Sequence, residues 1–149
     1  MIGCPPENHP GHKNRDTPGE GVKNIDVNSL KITSEAYGIY KSNTGACDAQ
    51  IKAQKINVNA VDHAFYTDTH SVAFEDFDTL TFTSKEGHAL QNNSLSANVS
   101  FKGGDVSLIS EGRGALSTMR SDKAITSFDV KNLTIQATIN SKRSGDTPT

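Results

Sequence analysis

The amino-acid sequence predicts an all-β protein: a right-handed parallel β-solenoid of about five coils, preceded by a disordered or irregular N-terminal leader. Two observations carry this prediction. A strand-like pattern recurs along the chain at a nearly constant spacing, and matching positions of the copies hold side chains of matching character. A period in the twenties with alternating apolar and polar residues is typical of a solenoid whose coils stack on one another.

The clearest copy of the pattern lies at residues 80–90 (LTFTSKEGHAL). Leu80 and Phe82 alternate with two threonines, Ser84 ends the run, and a polar turn leads to a second apolar pair, Ala89 and Leu90. Successive side chains of a strand point to opposite faces. The pattern is therefore that of a half-buried strand, a corner and a short second strand.

Five copies of this pattern follow one another at intervals of 26, 24, 26 and 27 residues. We expect three columns of side chains to point into the core: the lead residues, the large apolar residues two positions later and the small residues four positions later. Nine and ten positions after the lead residue, the first four copies carry a second apolar pair. The lead residues are Leu30, Ile56, Leu80, Val106 and Leu133. The large apolar column is Ile32, Val58, Phe82, Leu108 and Ile135, and the small column is Ser34, Ala60, Ser84, Ser110 and Ala137. The second apolar pairs are Ile39-Tyr40, Phe65-Tyr66, Ala89-Leu90 and Ala115-Leu116.

A column of alternating charge tests the register independently of hydrophobicity. It lies four positions before the lead residues, where equivalent residues of stacked coils would be about 4.8 Å apart and would form an outward ladder of opposite charges. The charged column consists of Asp26, Lys52, Asp76, Lys102 and Asp129.

Glu75 interrupts a neighbouring apolar column, which predicts a β-bulge that lets Phe74 point inward instead.

The chain has 149 residues, a length that suits one domain with a substantial core. Its pattern divides it into a flexible Pro- and Gly-rich leader or cap at 1–23, solenoid repeats at 24–140 and a polar C-terminal tail at 141–149. The 15 basic and 17 acidic residues are spread along the chain, and the net charge is −2. This balance gives no electrostatic basis for binding nucleic acid or an anionic membrane.

The sequence contains neither a signal peptide nor a transmembrane segment that we can identify. No basic region and no apolar run precede Cys4, and no apolar run approaches 20 residues. Cys4 and Cys47 are the only cysteines, and a disulfide between them would tie down the leader. Cys4, His9 and His12 offer metal ligands at a loose spacing without a fourth ligand, so the sequence predicts no metal site and no cofactor.

The repeats resemble those of autotransporter passenger domains, which are secreted right-handed parallel β-helices of Gram-negative bacteria and commonly adhesins. The resemblance covers residues 24–137 and rests on strands such as 80–84 (LTFTS), a Gly-containing turn, and second strands such as 38–40 (GIY) or 88–90 (HAL). It implies a non-enzymatic adhesin-like module of the cell surface or a secreted protein. Because signal peptide and translocator barrel are missing, the chain would be a fragment of a larger exported protein that binds host-cell or polysaccharide surfaces.

An enzymatic alternative is a polysaccharide lyase or hydrolase, because such enzymes also use parallel β-helices. Their chemistry needs carboxylates grouped on one face, as calcium ligands or as an acid and base pair. Asp76 and Asp78 are the candidates, since they lie two apart on one predicted strand. His63 and His88 fall in equivalent turns near Asp62, where we expect solvated corner residues.

A second alternative is a structural fibre module such as part of a phage tailspike, which would share the fold and differ in forming trimers. In a solenoid of this kind the two end coils expose apolar columns and open strand edges, which favours end-to-end self-association.

Overall fold

The computed structural model describes residues 22–42, 47–119 and 121–138. Within them nine strands form two sheets in which every neighbouring pair is parallel. Each of the first four long strands is followed by a corner and a short strand, which gives a β-solenoid of four turns and a fifth long strand. Residues 1–21 of the predicted leader and the tail at 141–149 lie outside the described residues. The long sheet contains β1 (Val22–Ser34), β3 (Asp48–Ala60), β5 (Val72–Ser84), β7 (Val99–Ser110) and β9 (Thr126–Ala137), and the short sheet contains β2 (Ile39–Lys41), β4 (Phe65–Thr67), β6 (Leu90–Asn92) and β8 (Leu116–Thr118).

The register of the long sheet confirms the three predicted columns. Leu30 pairs with Ile56, and the lead residues of the following coils continue the same column. In the middle coils these side chains form the core: Leu80 and Phe82 are fully buried, whereas Thr81 between them is half-buried on the outer face. Alternation at a period of two therefore places one face of each strand inside the solenoid.

The predicted β-bulge is present in β5. Against β3 the register shifts between Lys52 and Lys55, and against β7 it shifts between Glu75 and Phe77. Asp76, at the bulge, takes a positive φ of 58°. As a result Phe74 pairs with Ile51 and Phe101 and is fully buried, as the sequence predicts.

The charged ladder differs from the prediction in its third member. Glu75, and not Asp76, pairs with both Lys52 and Lys102 in the sheet register, because Asp76 is the extra residue of the bulge. The Lys52 ammonium lies 3.9 Å from a Glu75 carboxylate oxygen and 3.3 Å from one of Asp76. The alternation of charge thus persists, with two carboxylates sharing one lysine.

The second apolar column also differs from the prediction in two coils. Ile39 pairs with Phe65, but the next members are Leu90 and Leu116, each one residue later than expected. The corners after Ser84 and Ser110 contain one residue more than the earlier two corners. In both, the serine hydroxyl accepts a hydrogen bond from a corner N–H group, Gly87 N at 2.9 Å and Arg113 N at 3.0 Å.

Phenylalanine rings stack along the core from coil to coil. The centroids of Phe74 and Phe101 are 5.0 Å apart with an interplanar angle of 8°, and those of Phe101 and Phe128 are 4.8 Å apart at 9°. Phe82 contacts both Phe74 and Phe101 edge-on. Such pairs stabilise a fold by about 0.5–1.5 kcal/mol each beyond the apolar area they bury.

The two ends of the long sheet are less covered than its centre. β1 and β9 are its outermost strands, and inward-facing residues there are exposed, Leu133 by 41% and Ile135 by 49%. Exposed apolar residues on an edge strand favour association with another chain. End-to-end self-association stays a prediction.

The bulge requires glycine on the neighbouring strand. A Cβ atom added to Gly104 of β7 would lie 2.1 Å from the carbonyl oxygen of Asp78, a distance at which atoms overlap. A Cβ atom added to Gly103 would similarly lie 2.7 Å from the carbonyl oxygen of Phe77. The Gly-Gly pair therefore lets β7 approach the bulged segment of β5.

We expect Gly104→Ala to lower the free energy of unfolding by about 1–3 kcal/mol, because the backbone must shift to accept the methyl group. Gly114→Ala is the matched control, since a Cβ atom there would meet nothing closer than 3.8 Å. Urea unfolding of both variants measures the difference. Equal stability of the two variants would show that β7 does not pass the bulge this closely.

Candidate functional site

The structure places Asp76 and Asp78, the carboxylates singled out in the sequence, on the exposed side of the bulge in β5. Both residues are exposed, and Phe77 between them is buried. The Asp76 carboxylate forms an ion pair with Lys52. Asp tolerates a positive φ better than most residues, so the bulge accounts for the backbone of Asp76 without a functional role.

A different group of residues forms a cluster of contacting aromatic rings. We name it the tyrosine corner and define it as Tyr37, Tyr40, His63, Tyr66 and His88. Backbone hydrogen bonds from Gly38 N to the carbonyl of His63 and from Ala64 N to that of His88 place residues 37, 63 and 88 at equivalent positions of three successive coils. The two remaining tyrosines pair directly in the short sheet.

The tyrosines point away from the core because their strands alternate. In β2, Tyr40 lies between the buried Ile39 and Lys41, and in β4, Tyr66 lies between the buried Phe65 and Thr67. All three tyrosines of the chain are half-buried at this corner.

The rings of the tyrosine corner contact one another in a continuous cluster. Tyr40 and Tyr66 stack with centroids 5.3 Å apart and planes at 17°. Tyr37 stacks on His63 at 5.3 Å and contacts both other tyrosines, at 4.8 and 5.7 Å. His63 contacts His88 at 5.4 Å with an interplanar angle of 61°. The corner therefore packs as one unit across three coils.

Both histidines are oriented through Nδ1. His63 Nδ1 lies 2.5 Å from Asp62 Oδ1, and His88 Nδ1 lies 2.5 Å from the carbonyl oxygen of Gly114. His63 is only 7% exposed, and its Nε2 atom has no hydrogen-bond partner among the described residues. A Cβ atom on Gly87 would lie 2.7 Å from both Asp62 Oδ1 and His63 Nδ1, so glycine is needed beside this pair.

The phenol of Tyr37 stays neutral over a wide range of pH. Burial raises its pKa above the ordinary value of 10.0, and the nearby Asp62 carboxylate raises it further. Tyr40 and Tyr66 act in the same direction, and only Arg113 opposes them. At neutral pH Tyr37 therefore offers a hydroxyl group that both donates and accepts hydrogen bonds.

Amide side chains border the tyrosine corner on the side of the third coil. Asn93 Nδ2 donates a hydrogen bond to the hydroxyl oxygen of Tyr66 at 3.2 Å. Gln91 follows Tyr66 in the register of the short sheet and is half-buried. The surface thus combines aromatic carbon with hydroxyl and amide groups.

A buried polar column lies beneath the corner, on the inner face of the short sheet. Lys41 is fully buried and pairs with Thr67, which pairs with Asn92. Thr67 Oγ1 donates to the His70 carbonyl at 2.7 Å, and Asn92 Nδ2 donates to that of Ala97 at 3.0 Å. These two side chains close the corners where the chain leaves the short sheet.

Burial lowers the pKa of Lys41 below its ordinary value of 10.5. The Asp48 carboxylate opposes this effect, and the Lys23 ammonium adds to it. Desolvation is the largest cause, because the charged ammonium loses more on leaving water than the neutral amine does.

Two open grooves lie on the outer surface. One, of about 350 Å³, is lined by residues that include Asp48, Ser71 and Asn98, and the other, of about 220 Å³, by residues that include Glu35 and Lys85. Both are open to solvent, and both polar and apolar atoms line them.

Of the cysteines and histidines that the sequence offers as disulfide partners or metal ligands, the structure describes only some. Cys47 is buried and disulfide-bonded, and Cys4, the other cysteine of the sequence, lies outside the described residues. His9 and His12 lie outside them as well.

Across the described ranges, no group of three or more His, Cys, Asp or Glu side chains is arranged to hold a metal ion. In the same part of the chain no helix has the length and apolar character needed to cross a bilayer.

Sequence reasoning missed the tyrosine corner although part of its signal was visible. Tyr40 and Tyr66 occupy the same position of two successive repeats, which already places them side by side. The sequence places His63 and His88 in equivalent turns and predicts solvated side chains there, whereas His63 is buried. Tyr37 and His63 hold the same position in their repeats, but His88 aligns with them only because the corner after Ser84 is one residue longer than the first two corners.

Comparison of the chain with family models, curated proteins and solved structures found no match in any of the three.

We expect Lys41→Met to change how stability depends on pH. Between the lowered pKa of Lys41 and its ordinary value of 10.5, the unfolded chain binds a proton that the folded chain does not, so the free energy of unfolding of the wild type rises with pH. Below that window Lys41 is protonated in both states, and the penalty for burying its charge is fully present.

Urea unfolding of both proteins from about pH 7 to 10.5 measures this effect, because subtracting the variant's free energy of unfolding cancels the contribution of groups such as Tyr37. The difference, wild type minus variant, should increase toward the alkaline end. A difference that stays flat or decreases would contradict a lowered pKa of Lys41.

Proposed function

We propose that this β-solenoid is a non-catalytic, adhesin-like binding module that contacts glycan surfaces through the tyrosine corner. One observation carries the proposal: the chain divides its aromatic residues by position. Five of its six phenylalanines are buried in the core, whereas all three tyrosines are half-buried on one outer corner and touch one another. The buried five are Phe65, Phe74, Phe77, Phe82 and Phe101.

A tyrosine cluster of this kind suits binding more than folding. Tyrosine supplies a large apolar contact at a small cost in conformational entropy, and its hydroxyl group stays available for hydrogen bonds. Tyrosine is accordingly enriched among the residues that dominate binding energy. The mutual stacking of Tyr40 and Tyr66 holds both rings in place before a ligand arrives, which lowers the cost of ordering them on binding.

The chemistry of the corner and the charge of the chain favour a glycan as the ligand. Sugars present apolar C–H faces and many hydroxyl groups, which match aromatic rings bordered by the amides of Gln91 and Asn93. The net charge of −2 with interspersed charges supplies no attraction for nucleic acid. Contacts of this kind are individually weak, so strong attachment would come from several modules acting together.

The disulfide of Cys47 supports an exported location. Disulfides form and persist in oxidising environments such as the periplasm, the cell surface and the extracellular medium. We therefore place the module, within this proposal, on a cell surface or in a secreted protein, as a fragment of a larger autotransporter-like passenger.

The lyase or hydrolase alternative would use Asp76 and Asp78, and the fibre alternative would use the same solenoid as a trimer. Neither has a specific observation in its favour: Asp76 is paired with Lys52, and both aspartates are solvent-exposed, whereas catalytic carboxylates are usually held in a site that excludes water.

We expect Tyr66→Ala to weaken binding to immobilised polysaccharides by about tenfold, because it removes the ring that contacts both other tyrosines and His63. Tyr66→Phe should bind more tightly than Tyr66→Ala, since it keeps the ring and loses only the hydroxyl group. Thr81→Ala on the long sheet is the control. The measurement is surface-plasmon resonance against a panel of neutral and acidic polysaccharides.

The same panel should be incubated with the protein, with and without calcium, while reducing ends and unsaturated products are followed. We expect no turnover. Turnover that disappears in Asp76→Asn or Asp78→Asn would replace the binding proposal with the lyase alternative. If Tyr66→Ala and Tyr66→Phe bind the polysaccharides as tightly as the wild type and the Thr81→Ala control do, the tyrosine corner is not the binding surface.

A further inference from the structure

We propose that His63 and His88 bind one late first-row transition-metal ion, such as Cu²⁺, Ni²⁺ or Zn²⁺, through their Nε2 atoms. This site shares the tyrosine corner with the proposed glycan contact but does not depend on it. The sequence alone predicts no metal site. The inference rests on three features of the two rings: the partners of their Nδ1 atoms, the lack of a partner for one Nε2 atom and the distance between the rings.

The partners of the two Nδ1 atoms determine which nitrogen of each ring is available. Asp62 Oδ1 and the Gly114 carbonyl oxygen are both acceptors, so each Nδ1 atom must carry a proton and donate it. In a neutral imidazole the other nitrogen, Nε2, then holds a lone pair. Histidine ligands of metals show this arrangement, in which the second ring nitrogen donates to a carboxylate or a backbone carbonyl and thereby orients the ring.

The Nε2 atom of His63 lacks a hydrogen-bond partner within the described part of the chain. It is buried and accepts no hydrogen bond from the described residues. A buried polar atom without a partner costs about 1–3 kcal/mol, so native proteins rarely keep one without a compensating interaction. Ring stacking on Tyr37 accounts for the position of the imidazole plane but gives the Nε2 lone pair nothing to bind.

The separation of the two rings is compatible with imidazoles that share one ion. With a metal–nitrogen bond of about 2.0–2.1 Å and about 1.1 Å from nitrogen to ring centre, each centroid lies about 3.2 Å from the ion. For angles between tetrahedral and trigonal values, the two centroids are then about 5.2–5.5 Å apart. The observed distance between the centroids of His63 and His88 is 5.4 Å.

The donor set also selects the class of ion. Two imidazole nitrogens suit Cu²⁺, Ni²⁺ and Zn²⁺, with Cu²⁺ bound most tightly by the usual order of stability, whereas Ca²⁺ and Mg²⁺ require oxygen ligands. Because the described residues supply no third histidine, cysteine or carboxylate to such a group, water would complete the coordination sphere.

Tyrosine fluorescence offers a direct test, because the chain has no tryptophan and all three of its tyrosines lie in the tyrosine corner. The titration should use full-length protein carrying His9→Ala and His12→Ala, because imidazole groups in general bind these ions and those two lie outside the described residues. Adding Cu²⁺ or Ni²⁺ should quench the emission with saturation at one ion per chain.

His88→Ala in the same background should weaken the apparent affinity at least about tenfold, because one of two ligands is lost. His70→Ala is the matched control. His70 Nδ1 lies 3.6 Å from Asp48 Oδ1 and makes no ring contact with the corner among the described residues, so its removal should leave the titration unchanged. Quenching that is equal in the His88→Ala variant, or that never saturates, would overturn the proposal.

A second measurement needs no further substitution and covers the case in which the variants fail to fold. Imidazole ¹⁵N shifts of the background protein should change on adding Zn²⁺, with the Nε2 resonances of His63 and His88 moving and their Nδ1 resonances remaining those of protonated nitrogens. Unchanged Nε2 resonances at saturating Zn²⁺ would rule out the site.

Discussion

Neighbouring coils of this solenoid must stack residue on residue, because parallel strands about 4.8 Å apart place every side chain directly above its equivalent in the next coil. A mismatch at one position cannot be absorbed by slipping the strand, since a shift of one residue would turn its apolar face to solvent. The β-bulge in β5 follows from this constraint. By adding Asp76 to the strand, it keeps Phe74 between Ile51 and Phe101 on one side and Leu80 between Ile56 and Val106 on the other.

The same stacking builds the tyrosine corner. Corner positions of successive coils are as close as strand positions, so Tyr37, His63 and His88 form a column without any long-range contact to assemble them. Corners tolerate changes of length and sequence better than strands do, which is why binding residues of solenoids gather there. A site built across three coils is also rigid only while those coils remain stacked, which links the site to the core beneath it.

The sequence predicts the parts of the structure that depend on a local period. Alternation around Leu80 and Phe82 identifies the inward columns, and the misplaced Glu75 identifies the bulge. The sequence does not show which residue is the extra one of the bulge. It therefore predicts Asp76 in the charged ladder, at the position that Glu75 occupies in the structure. Corner lengths differ by single residues without changing the period visibly, and this hides the alignment of His88 with Tyr37 and His63. Orientation of the rings, and the missing partner of His63 Nε2, depend on side-chain packing that no periodicity encodes.

The central claim is that β3, β5 and β7 stack in parallel through the bulge with Phe74 facing the core. Nuclear Overhauser contacts in uniformly labelled protein test it most directly. The account predicts strong contacts between the ring protons of Phe74 and Phe101, whose centroids are 5.0 Å apart, and contacts between amide and α protons across β5 and β7. Absence of the ring contacts, or close pairs of α protons across these strands, which are typical of antiparallel pairing, would contradict it.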